Sequence, residues 1–170
     1  ANGQYGGQTI SLSHLAPFVR VSYMKYLNKY KDRGCTSEEA DKYAMEDLRS
    51  EIRDGMQTIQ YQINTFSTSN GQAPFLSVFM YISENPEYEK ETAMLIEEVL
   101  HQRIQGIKNE VGAWITPAFP KLLYVTDENN IREDSEYYSD GQAKRLRAIL
   151  ENSYPFVSVE EAKAALKAAG

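Results

Sequence analysis

Apolar and polar positions recur along this chain with two different periods, and the switches between them divide it into elements. From Leu12 the residues Leu12, Leu15, Phe18, Val19, Met24, Tyr26 and Leu27 follow helical spacing. Pro17 falls within the first turns, where its missing N–H matters least, and Gly34 is placed to stop the helix. Thr36 opens "TSEE", with Glu39 three residues on, which is the signature of a capping box. The helix that follows carries Ala40, Tyr43, Ala44, Leu48 and Ile52 on one face. The pattern allows a break at Asp54-Gly55 before a second stretch through Met56, Ile59, Gln60, Ile63 and Phe66.

The period then shortens. "PFLSVFMYI", from Pro74 to Ile82, is a compact apolar run of strand length with several aromatics. Its near-continuous apolarity predicts burial on both faces, as in a parallel or mixed sheet covered by helices. "NPEYEKETAMLIEEVLHQRIQGI" returns to helical spacing, with Pro86 and acidic residues at its start and Gly106 as its terminator. A second strand-like run spans Lys121 to Thr126, after two prolines. The opening "QYGGQ" reads as a loop. Two long helices, a strand, a helix and a strand predict part of an α/β sheet or barrel. At about Ser139 the composition shifts to two short helical patterns, the second opened by Ser158-Val159-Glu160-Glu161. The expected division is therefore 1–138 and a helical tail, 139–170.

Composition changes this picture little. A chain of 170 residues, 42% hydrophobic and 25% charged, has enough apolar material for one core. Its net charge of -6 argues against nucleic acid or a polybasic membrane contact as the main partner. A nucleotide needs only local donors and stays open. One cysteine, Cys35, cannot form an internal disulfide, so a reducing, cytoplasmic setting is expected. No apolar run reaches the roughly 18 residues of a membrane span. The polar, Gly-rich first residues do not read as a signal peptide.

Candidate chemistry is sparse. Cys35 precedes a helix start but has no histidine near it in sequence and reads as a loop cysteine. His14 and His101 belong to no ligand-spaced set, so no metal site is expected. No phosphate-binding glycine motif or nucleophile elbow occurs. The stretch from Asn64 to Phe75 is different. Asn64, Thr65, Ser67, Thr68, Ser69, Asn70 and Gln72 carry donors and acceptors together, and the Gly71 backbone can approach a ligand closely. The residues alone leave two readings, a plain polar loop or an uncharged site for ribose hydroxyls and phosphate oxygens.

Three stretches, "QYGGQTISLSHLAPFV", "GMQTIQYQINTFSTSNGQAPFLSVFMYI" and "ITPAFPKLLYVTDENNI", resemble in that order the catalytic subunit of anaerobic, glycyl-radical (class III) ribonucleoside-triphosphate reductases. The resemblance covers about Asn2 to Tyr138, beyond which the family pattern is not followed. It implies the mostly helical N-terminal part of a ten-stranded α/β barrel built from two half-barrels, incomplete in this chain. It implies reduction of ribonucleotides to deoxyribonucleotides by glycyl and thiyl radicals, of the formate-dependent type.

On this resemblance Ser67, Ser69, Asn70, Gly71 and Gln72 are candidate substrate contacts, with Asn64 in support and Pro74 and Phe75 fixing the loop. Arg20 and Lys25 are candidates for a deoxynucleotide or ATP effector. The implied partners are a ribonucleoside triphosphate, the remainder of the reductase with its radical-SAM activating enzyme, and a second copy docked through the N-terminal helices. The intact family uses a glycyl radical, a four-cysteine structural zinc and nucleotide effectors. None of the residues for the radical or the zinc is matched here, so no catalytic or metal residue is assigned, and the chain alone is expected to be inactive. The alternative is a non-catalytic nucleotide-binding or assembly module derived from that enzyme.

Overall fold

The computed structural model describes residues 7–65, 75–108, 111–117 and 119–127, with positions 130 and 137. The chain starts with strand β1 (Gly7–Ser11), turns once through a 3-10 segment at Leu12–Leu15, and enters helix α1 (Ala16–Asp32). Pro17 sits in the first turn of α1. Gly34 follows the helix at φ 85, a left-handed conformation that glycine adopts without a Cβ penalty.

Helix α2 (Ser37–Thr65) begins on the predicted capping box. The Glu39 N–H donates to Thr36 Oγ1 at 3.3 Å, and the Thr36 N–H donates back to Glu39 Oε2 at 3.0 Å. These bonds hold the Glu39 carboxyl below its ordinary pKa. The break allowed at Asp54-Gly55 does not occur. α2 runs unbroken for 29 residues because its buried stripe, Ala40, Ala44, Leu48, Ile52 and Met56, continues past Gly55 at intervals of one turn. Gly55 faces open space and disturbs nothing but propensity, at about 1 kcal/mol.

Strand β2 (Phe75–Met80) lies between β1 and β5 (Lys121–Tyr124), parallel to both. The expected strand and its parallel neighbours are therefore present. β1 is an addition, since its short "GQTIS" has no apolar run to mark it. Helix α3 (Glu89–Gln105) makes the crossover from β2 to β5. It starts after a 3-10 turn at Pro86–Tyr88 whose first N–H is capped by Asn85, and it stops at Gly106.

Register places Ile10, Val78 and Leu122 side by side on one sheet face. That face packs under the helices. Leu48, Ile52 and Met56 of α2, Ala93, Leu95, Ile96 and Leu100 of α3, and Leu12, Ala16 and Val19 close the core over Val78 and Met80. Fully burying a residue such as Leu48 or Leu100 contributes about 2 kcal/mol. The other face carries Thr9, Ser77, Phe79, Lys121 and Leu123. Ser77 is buried on it, while Leu123 remains 48% exposed. Burial of β2 on both faces is realised in part: Leu76, Val78 and Met80 are buried on one face, while on the other Ser77 is buried, Phe79 is half-buried and Phe75 is open.

Candidate functional site

The two ends of the parallel sheet differ in how they use their polar side chains. Where the strands finish, α1 meets the start of α3. Arg20 Nε donates to Glu91 Oε1 at 2.7 Å, Nη2 donates to Glu91 Oε2 at 3.1 Å and to the Glu87 carbonyl, and the guanidinium lies 4.2 Å above the Tyr88 ring. The hydrogen bond to Glu91 leads in raising the Arg20 pKa. Beside it, Ser11 and Ser13 both donate to Glu84, the latter at 2.6 Å. Burial works to raise the Glu84 pKa, but these hydroxyls and His14 outweigh it and hold the carboxyl below its ordinary value.

Where the strands begin, α2 and α3 both end, and a short hairpin follows. Its strands are β3 (Ile107–Lys108) and β4 (Trp114–Ile115), paired Ile107 with Ile115 and Lys108 with Trp114. Gly106 makes the junction possible. Its φ of 76 and ψ of -163 belong to a region only glycine occupies readily, and a Cβ there would lie 2.4 Å from the Ile115 carbonyl oxygen. The buried Gln60 then ties α2 to this junction. Its Nε2 donates to the carbonyls of Gln102 and Gly106, each at 3.2 Å. One turn later Asn64 Nδ2 donates to the Gln60 carbonyl at 2.7 Å and to the Phe119 carbonyl at 3.2 Å, joining α2 to the approach to β5.

These bonds wall a cavity of about 920 Å³. Asn64 and Thr65 line it, directly before the 66–74 connection into β2, together with Tyr61, Gln102, Lys108 and Trp114. Arg103 lies behind this wall. Its Nη2 donates to the Pro120 carbonyl, its Nε has no hydrogen-bond partner, and burial lowers its pKa.

Of the residues singled out from sequence, Asn64 is in the cavity wall. Ser67, Ser69, Asn70, Gly71 and Gln72 lie outside the described residues, as does Pro74. Arg20 is engaged by Glu87 and Glu91. Lys25 is exposed, with its ammonium 4.9 Å over the Tyr26 ring. Cys35 is a partly exposed free thiol in the α1–α2 turn. Sequence reasoning missed Gln60, Tyr61 and Trp114. The available signal was Gly106 followed by "IK" and "WI" about a Gly-containing turn, a hairpin pattern too short to stand out.

A family model described as "Anaerobic ribonucleoside-triphosphate reductase" matches residues 1–166. The chain belongs to this family. The match of the anaerobic reductase family runs past Ser139, so the similarity extends well beyond the three motifs that suggested it. Several relatives bear the same name. That of Haemophilus influenzae is 30% identical over 156 residues, which are 89% of this chain and 20% of the relative. That of Escherichia coli is 31% identical over 156 residues, again 89% and 20%. That of Enterobacteria phage T4 is 29% identical over 168 residues, 96% of this chain and 26% of the relative. The chain thus spans about a fifth to a quarter of the length of these anaerobic reductases. A four-thiolate zinc site has no donor set here, because the sequence contains one cysteine. Among the described residues no three His, Cys, Asp or Glu side chains come together to hold a metal. No described helix is long and apolar enough to cross a membrane.

Proposed function

We propose that this chain acts as a segment of an anaerobic ribonucleoside-triphosphate reductase and contributes nucleotide contacts at the edge where the sheet begins. The carrying observation is the cavity of about 920 Å³ with Asn64 and Thr65, the last described residues before position 66, in its wall. Ser67, Ser69, Asn70, Gly71 and Gln72 supply uncharged donors and acceptors to a ribonucleoside triphosphate there, and Asn64 fixes the loop's departure from α2. The radical chemistry, with its glycyl radical, thiyl cysteine and formate, belongs to the remainder of the enzyme and its activating partner. This chain alone does not turn over.

The partly exposed sheet face, and the outer edges of β1 and β5 that are unpaired among the described residues, support a larger sheet, the ten-stranded barrel, in which Phe79 and Leu123 face inward. The outer side of α1 supports self-association. Phe18, Val21 and Met24 are exposed there at helical spacing, a stripe that a second copy would cover. Lys25 follows on the same side as the first cation available to an effector phosphate. Arg20 would have to release Glu91 to take that role. Phe18→Asp in the intact enzyme is expected to shift dimer to monomer in sedimentation velocity.

The substrate assignment is tested by Asn70→Ala and Gln72→Ala in the intact reductase. Each is expected to lower turnover and substrate affinity about tenfold or more, the cost of one or two lost hydrogen bonds. Unchanged binding and turnover in both would remove the assignment.

A further inference from the structure

The cavity at the beginning of the strands has a composition that the loop assignment does not use. Among the described residues no carboxylate lines it, in a chain with 24 acidic and 18 basic residues. Lys108 is its one charged wall residue among those described. Two aromatic rings stand largely open on its walls, Tyr61 at 67% exposure on α2 and Trp114 at 56% on β4. An exposed indole on a hairpin is costly to leave in water and offers a flat π face. Lys108 and Trp114 are cross-strand partners, so they project from the same side of the hairpin, and the ammonium sits 5.2 Å over the indole. The amides of Gln60, Asn64 and Gln102 are held by bonds to Gln102, Gly106, Phe119 and Glu98. They are pre-oriented walls rather than mobile side chains.

We infer that this groove is a nucleobase subsite. A nucleotide's base stacks on Trp114 and Tyr61, while Lys108 turns from the indole to its phosphates. An anionic ligand with a π face suits a wall whose described residues include aromatics, amides and a cation. The inference rests on the nucleotide-binding reading above and adds to it which residues hold the base.

Trp114 is the only tryptophan of the chain, so its fluorescence reports the site directly. The 170-residue chain is titrated with ATP and, separately, with inorganic tripolyphosphate. Saturable quenching is expected with ATP and no change with tripolyphosphate. Tyr61→Ala, which removes an exposed ring and leaves the core intact, is expected to weaken ATP about tenfold, the scale of one lost base stack. Lys108→Ala is expected to bring ATP down to the affinity of adenosine, with the same quenching at saturation. The inference is overturned by the absence of saturable quenching, by equal quenching with tripolyphosphate, or by either variant titrating like the parent. Such a result alongside impaired Asn70→Ala and Gln72→Ala enzymes would sink the base subsite and leave the substrate reading standing. Quenching as expected with fully active Asn70 and Gln72 variants would do the reverse.

Discussion

The end where the strands finish and the end where they begin are both polar, yet they are built on opposite plans. At the finishing end, apart from the Arg20 bond to the Glu87 carbonyl, side chains satisfy one another: Arg20 with Glu91 and Glu87, Ser11 and Ser13 with Glu84. Charge meets charge, and little is left to offer a ligand. At the beginning end side chains satisfy main-chain carbonyls. Gln60 and Asn64 bond Gln102, Gly106 and Phe119, which fixes the walls while Tyr61 and Trp114 stay largely exposed, with the Lys108 ammonium over the indole. Open parallel sheets ordinarily bind ligands beyond the carboxyl ends of their strands. Among the described residues of this chain that end is drawn together by ion pairs, and the large cavity opens at the other. Side chain–backbone bonding shapes a cavity; side chain–side chain ion pairing closes a seam.

Three substitutions probe this contrast, in falling order of expected effect. Gly106→Ala puts a Cβ against the Ile115 carbonyl in a conformation reserved for glycine, so it is expected to destabilise by about 3 kcal/mol in urea unfolding. Stability within 1 kcal/mol of the parent would mean that the hairpin is not anchored at this junction. Gln60→Leu keeps the volume but removes two donors from buried carbonyls, at an expected cost of about 2 kcal/mol. Hydrogen exchange should accelerate across 107–115 and remain slow in α1. Equal acceleration in both would erase the distinction between the two ends.

Ser13→Ala is the smallest and depends on pH. The folded Glu84 pKa is depressed below its ordinary 4.5, so its contribution is present above that value and is lost as pH falls through the folded pKa. The stability gap between parent and Ser13→Ala should therefore be present at pH 6 and vanish towards pH 3. Because Glu84 is largely solvated, the gap should stay under about 1 kcal/mol. A gap that grows on acidification would contradict the pairing.

Sequence reasoning reached the elements whose causes are local. The Thr36–Glu39 box, the Gly34 and Gly106 stops, Pro86 near a helix start and the apolar run of β2 each act within a few residues. It did not reach β1, whose partner Phe75 lies far along the chain from Gly7 and whose own side chains are mostly polar. Nor did it follow α2 through Gly55. A glycine in an exposed helix position costs about 1 kcal/mol, and a buried stripe of five residues outweighs that. Of the candidate site, Asn64 was legible because amides and hydroxyls cluster in the sequence from there to Gln72. Tyr61 and Trp114 were not, since they come together only when α2 and the hairpin meet at Gly106.

The uninterrupted α2 has a mechanical consequence. Twenty-nine residues make a rod about 43 Å long, with the Cys35 turn at one end and the Asn64 wall at the other. A tilt of about one degree at the turn displaces Thr65 by roughly 0.75 Å, a quarter of a hydrogen-bond length. A jointed helix would absorb such a tilt at Gly55. A continuous one carries it as leverage, so that a change of angle between the first two helices is converted into a change of gap at the far end.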